Sequence, residues 1–158
     1  MKLFRQSKII TIFFTSFPLV FTVYSIGKKD IPLSHFIIAD KNIQEWNVAK
    51  DGYKEFKPEG LYGIIDGGAD VYIKKGLQRG IFQNLKKGGR YQCEIFVEDY
   101  GSSKNAKEIF ITKTETASTS LKLNVGDNER IRIEEFIGGI LVYLYGQNYY
   151  FEILLSGF

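Results

Sequence analysis

The 158-residue chain contains one cysteine, one histidine, one methionine, one tryptophan and three prolines. Those scarcities exclude chemistry before any motif is read. A lone Cys93 closes no disulfide within the chain, so the fold must stand on packing. One Cys and one His (His35) fall short of the ligand sets of common zinc sites and argue against Ser-His-Asp or Cys-His catalysis. Excess charge is scarce as well. The formal net charge is +3, from 21 Lys and Arg against 18 Asp and Glu. Lys2, Arg5 and Lys8 account for all of it, since 21 − 3 leaves 18 against 18. Beyond the first 25 residues the chain is formally neutral and lacks the basic footprint of a nucleic-acid binder.

The three cations precede Ile9–Tyr24, a stretch without a single charge, and Val23-Tyr24-Ser25 supplies residues tolerated at a signal-peptidase site. That is the layout of a secretory signal peptide over residues 1–25. The run is shorter than the ~20 residues that span a bilayer comfortably, and Pro18 interrupts it. An uncleaved anchor is the competing reading, and it would be the only tie to a membrane. No Cys lies near the cleavage region to carry a lipid. The expected destination is therefore outside the cytoplasm: periplasm, cell surface or medium.

About 130 residues remain, enough for one domain with one real core. Residues 26–57 read as an irregular lead-in, with "HFIIAD" as a short strand and Trp46, Tyr53 and Phe56 as anchors onto the core. Residues 58–158 read as a single α+β domain, an antiparallel sheet with two helices packed on one face.

In "KPEGLYGIIDGGADVYIKKG", Pro58 suits a first helical turn, Glu59 complements its dipole and Gly76 suits the C-cap. Leu61, Ile65, Ala69 and Tyr72 recur at helical spacing, so a helix is expected from about Pro58 to Lys75. Gly67 and Gly68 each cost such a helix roughly 1 kcal/mol relative to Ala. Close approach of the backbone to a neighbouring element is the expected compensation. The alternative is a break at Asp66, with Asp66 capping a second short helix.

The period then changes to alternation. A hairpin is expected around Lys87-Gly88-Gly89, with Tyr91, Cys93, Ile95 and Val97 on one face of its second strand and Gln92, Glu94, Phe96 and Glu98 on the other. Cys93 is thereby a small buried hydrophobe rather than a nucleophile. "GSSKNAKEIFITK" begins a second helix, capped by Ser102 or Ser103, with Ala106, Ile109 and Phe110 inward. A meander completes the chain, with strands at about Ser120–Val125, Arg130–Phe136, Ile140–Tyr145 and Tyr149–Leu155.

Three segments, "LYGIIDGGADVYIKKG", "EIFVEDYGSSKNAKEIF" and "GGILVYLYGQNYYFEIL", together resemble an uncharacterised family of exported bacterial proteins. Its members carry an Ile-Asp-Gly-Gly/Ala-Ala-Glu/Asp-x-Tyr motif, then an acidic-aromatic Gly-Ser-x-x-Asn-Ala segment, then a glycine–aromatic strand. The resemblance covers roughly Trp46 to Leu154. Gly63, Lys75 and Tyr100 depart from the family pattern, and many members continue into a further helix, which suggests a truncated product here. The resemblance implies fold and export, and no activity.

Asp66 and Asp70 stand one helical turn apart, with Cβ atoms about 6 Å from each other on a continuous helix. Two carboxylates at that spacing can share acid–base work or hold a hard cation, and Tyr62 lies on the same strip beside them. The calcium-loop spacing D-x-D-x-D-G is absent. Against the functional reading, Asp beside Gly ordinarily caps and turns. Tyr62, Asp66 and Asp70 are the candidate binding residues; no catalytic, metal or cofactor residues are expected. Glu98 and Asp99 are expected to end a strand and solvate a loop. Tyr143, Tyr145, Tyr149, Tyr150 and Phe151 concentrate on the last hairpin, where core packing outweighs an exposed stacking ladder. "GSSKN" lacks the Gly-Lys-Ser/Thr order of a phosphate loop.

The composition favours a noncatalytic exported module of the bacterial envelope that binds a protein, a glycan or a small molecule. A carboxylate-dependent hydrolase and a structural accessory subunit are the alternatives.

Overall fold

The computed structural model describes residues 31–39, 43–65, 67–115, 120–121 and 130–157. The expected leader lies outside them, as does Asp66. Among the described residues, seven strands form one antiparallel sheet: β1 (Asn47–Phe56), β2 (Arg79–Lys87), β3 (Tyr91–Asp99), β4 (Ser120–Leu121), β5 (Ile131–Phe136), β6 (Gly139–Gly146) and β7 (Tyr149–Ser156). Their spatial order is β1-β2-β3-β7-β6-β5-β4. The chain leaves β3 for the far edge, returns strand by strand, and closes the sheet by laying β7 against β3. Two helices, α1 (Ala69–Lys74) and α2 (Ser103–Thr114), pack on one face. The expected α+β architecture is the observed one.

Several local expectations need correction. Residues 47–56 are not irregular but an edge strand, bulged between Val48 and Tyr53. "HFIIAD" is not a strand: Leu33–Phe36 is a 3-10 turn, and Ile37–Ala39 runs on without strand pairing. The buried Gln83 side chain takes the place of a strand neighbour. Its amide donates to the Ile38 carbonyl at 3.0 Å and accepts from the Ile38 N–H at 2.9 Å. Of the three expected anchors, Phe56 is buried and Trp46 is partly so, whereas Tyr53 is exposed and bonds Glu55.

The helix expected over Pro58–Lys75 is broken. Pro58–Gly63 forms a 3-10 turn, and α1 begins only after Gly68, whose φ is +73°. Gly67 has φ +75°. A Cβ on either glycine would meet nothing within 4 Å. The glycines are therefore present for backbone conformation and not for close approach, because L-residues with side chains are strained at such φ. The break is the alternative the sequence left open, although its N-cap position is Gly68, with no side-chain cap. Six residues are too few for an isolated helix, so α1 depends on burying Ala69 and Tyr72 beside Leu61.

The hairpin at Lys87-Gly88-Gly89 and α2 form as expected. Ser102 Oγ accepts from Asn105 N–H at 3.2 Å as the N-cap of α2, and Ala106, Ile109 and Phe110 are buried. The fourth strand, expected to reach Val125, is described only at Ser120–Leu121; residues 122–129 lie outside the described part. The five aromatics of the last hairpin are all buried, split between the two faces as alternation requires.

Two cores result. On the face away from the helices, Ile81, Leu85, Cys93, Ile95, Val97 and the inward aliphatics of β5–β7 gather against Ile31, Phe36, Ile38, Ile43 and Trp46. On the helix face, Phe56, Leu61, Tyr72, Tyr100, Ile109, Tyr145 and Tyr150 form a second cluster.

Candidate functional site

Strand register sets out the helix face as rows. The innermost row runs Phe56, Gly80, Glu98, Tyr150, Tyr145 across five strands. Phe56 lies so closely over Gly80 that a Cβ there would sit 2.4 Å from its ring, so only glycine fits. The next row runs Lys54, Phe82, Phe96, Glu152, Tyr143, Arg132. Beyond it come Asn84, Glu94, Leu154, Leu141 and Glu134.

The inner row is covered; the second is half-buried, apart from the exposed Lys54 at one end and the buried Tyr143. Phe82 and Phe96 pair with ring centroids 4.8 Å apart. Glu152 stands beside them at the rim of the helix layer. Its Oε2 accepts from the Tyr72 hydroxyl at 3.0 Å and from the Tyr150 hydroxyl at 3.0 Å. Lys113 reaches down from α2 and places Nζ 3.7 Å from the same oxygen and 4.9 Å from the Tyr72 ring centroid. On the next strands the Tyr143 hydroxyl bonds Glu134, which also faces Arg132 at 3.6 Å.

Beneath this rim lies Glu98, 1% exposed. Its Oε2 accepts from the Tyr100 hydroxyl at 2.8 Å, while Oε1 has no hydrogen-bond partner among the described residues. Burial pushes its pKa up to about 8, against a lowering by the Tyr100 hydrogen bond; Glu152 raises it further and Lys113 lowers it. Glu98 is therefore largely protonated at neutral pH. Burial first, then the nearby carboxylates, also raise the Tyr72, Tyr100, Tyr143 and Tyr150 phenols, which stay neutral donors.

The residues singled out from sequence fall elsewhere. Asp70 sits in the first turn of α1 and accepts a hydrogen bond from the Tyr62 hydroxyl, so those two do meet, at an exposed position outside the helix layer. Asp66 is not among the described residues. Glu98 and Asp99 do not solvate a loop: both are buried. Asp99 binds together three chain turns. Its Oδ2 takes Arg79 Nε and a terminal guanidinium nitrogen at 3.1 Å each, and its Oδ1 takes Gly101 N–H at 2.9 Å and Asn148 Nδ2 at 2.6 Å. Every lone pair directed at the protein is used, which marks Asp99 as structural.

Sequence reasoning missed Glu152, Lys113 and the tyrosines around them. Signals existed. Glu152 is a solitary charge inside the aromatic and aliphatic run "YYFEILL". Lys113 stands three and four residues after the inward Phe110 and Ile109, hence on the buried side of α2. Glu98 shares the parity of the apolar Phe96.

No protein-family model matches the chain, and no curated protein matches it. The fold is similar to that in the crystal structure of the extracellular domain of PknH from Mycobacterium tuberculosis. The two share 12% identity at a TM-score of 0.54, over 83% of this chain and 89% of that one. The likeness is one of fold.

Proposed function

We propose that this chain is an exported, noncatalytic binding domain of the bacterial envelope, and that its ligand meets the sheet at the rim of the helix layer. One observation carries the reading. The second row sets two half-buried phenylalanine rings beside Glu152, which the Tyr72 and Tyr150 hydroxyls hold in place and which Lys113 of α2 faces. Apolar floor with a few oriented polar groups is the usual composition of a ligand site. Fixing those groups through buried phenols lowers the cost of ordering them when a ligand arrives. The sequence layout of a leader supports export, and the fold likeness to a domain described as extracellular agrees with it. A hydrolase built on Asp70 draws no support from an exposed carboxylate already bonded to Tyr62.

The test is thermal melting of the chain against a panel of neutral oligosaccharides and small amphiphiles, alongside Phe96→Ala and Glu152→Gln. A ligand that raises the melting temperature of the unmutated chain and loses that effect in both variants supports the site. A ligand whose effect survives both variants places binding elsewhere and removes this reading.

A further inference from the structure

We propose that the end of the sheet carrying the β2–β3 and β5–β6 turns docks onto an anionic lipid surface. Ile137 and Phe136 enter the bilayer interface there, and Lys86 and Arg90 meet its headgroups. This surface is separate from the site at the helix rim, which uses the row of Phe82, Phe96 and Glu152. Two rows further out, register aligns Lys86, Gln92, Ser156, Gly139 and Phe136 across β2, β3, β7, β6 and β5. Four strand spacings put the ends of that row about 19 Å apart. Both turns therefore lie at one end of the sheet.

Three observations converge there. First, Ile137 is 102% exposed and Phe136 is 48% exposed. The turn itself needs only Gly138, at φ +91°, and turn tips ordinarily carry glycine or polar residues. Ile137 buries nothing within the chain, so its apolar surface is left for something outside it. The tip stands in open space, since a Cβ on Gly138 would meet nothing within 4 Å. A protruding apolar tip enters a bilayer interface without needing a matching pocket.

Second, the charge beside the tip is of one sign. Lys86 and Arg90 are exposed, and neither makes an ion pair among the described residues; Lys87 between them is paired with Glu45. Glu135, the acid next to the tip, alternates onto the opposite face of β5 from Phe136. An exposed apolar tip flanked by cations is complementary to anionic headgroups over acyl chains. Third, the tip is braced to one of those cations. The Gly157 N–H donates to the Gly138 carbonyl at 3.1 Å, and Arg90 Nε donates to the Gly157 carbonyl at 2.9 Å. The Phe136 ring lies against Gly139, where a Cβ would come within 2.4 Å of it. Tip and cation are thus positioned before any lipid arrives, which lowers the cost of ordering them.

The experiment places a fluorophore at the tip of the full chain. Ile137→Cys supplies the one reactive thiol, because Cys93 is wholly buried. An environment-sensitive dye there should shift to the blue, and be quenched by brominated acyl chains, on vesicles of equal parts phosphatidylcholine and phosphatidylglycerol. On pure phosphatidylcholine the shift should be small. The same dye on Lys104→Cys, an exposed position in the first turn of α2 at the opposite end of the sheet, should stay in water. That local readout separates docking of the tip from any insertion of the leader-like segment. Lys86→Gln with Arg90→Gln should lower the ratio of docked to undocked tip about thirtyfold, from about 1 kcal/mol for each cation at an anionic surface. Should Arg90→Gln disturb the fold, Lys86→Gln alone should lower it about fivefold. A dye at position 137 that stays in water on anionic vesicles overturns the proposal and leaves a protein partner for the tip. Equal entry into neutral and anionic vesicles, or docking unchanged by the loss of the cations, overturns it as well.

Discussion

Replacing Glu98 by Gln isolates what it costs to hold an acid in this core. The Glu98 carboxyl is fully buried, and its pKa rises from 4.5 to about 8 on folding. Because the folded pKa is the higher one, the folded chain keeps a proton that the unfolded chain has lost between those two values. Stability from this group is therefore complete below about pH 4.5 and is lost as pH rises towards about 8, where the loss levels off. Each pH unit of that interval costs about 1.4 kcal/mol, so the full loss is about 5 kcal/mol. That is large beside the roughly 5–15 kcal/mol of a whole domain. Glu98→Gln is close in shape to the protonated acid, keeps an acceptor for the Tyr100 hydroxyl, and carries no titration. Urea unfolding at pH 5, 6, 7 and 8 should show the two chains nearly equal at pH 5. The variant should become the more stable by several kcal/mol at pH 8. All other titrating groups are common to both, so the difference belongs to Glu98. Equal pH slopes for the two chains would refute the reasoning.

Other parts of the fold make equally direct predictions. Gly68→Val should cost about 1–2 kcal/mol and Gly68→Asn clearly less in thermal melts, since φ of +73° with open space around it penalises conformation and not bulk; equal losses would restore a packing role. Gln83→Leu leaves the Ile38 N–H and carbonyl without their partner, at about 1–3 kcal/mol for each, and amide exchange at Ile38 should accelerate well beyond that in the sheet centre. Asp99→Ala should destabilise by about 3–5 kcal/mol in denaturant melts, because it strips Arg79, Gly101 and Asn148 of one shared acceptor; Asp99→Asn should recover part of that loss. Cys93, wholly buried with burial first among the causes raising its pKa to about 12, should react with thiol reagents only after unfolding.

The strands, the hairpin turns and α2 were legible because each repeats a local rule along the chain. Alternation in "YQCEIFV" and "YYFEILL" assigns faces without any knowledge of the neighbours. The Ser102 cap and the Ala106–Ile109–Phe110 spacing do the same for α2. The broken helix at Gly67-Gly68 was legible only as an alternative, since helical spacing and left-handed glycines both fit the same letters. β1 was missed because its pattern is masked by a bulge, with Asp51 at φ +57° shifting the parity mid-strand. The candidate site was missed for a different reason. Glu98 with its near neighbour Tyr100, Glu152, Lys113 and Tyr72 come from four separate stretches of the chain, and their meeting depends on β7 pairing with β3 and not with a sequential neighbour alone.

The sequence by itself determined the single cysteine and single histidine, the neutral balance beyond its leader-like start, and an antiparallel sheet with helices. Composition and short-range periodicity are properties of neighbouring residues, and they survive without a fold. Only the tertiary structure decided that Glu98 is a buried acid, that Asp99 is a clamp, and that Lys113 lies over Tyr72 beside Glu152. Burial and electrostatic coupling depend on distance in space, and the strand order β3-β7-β6 sets those distances.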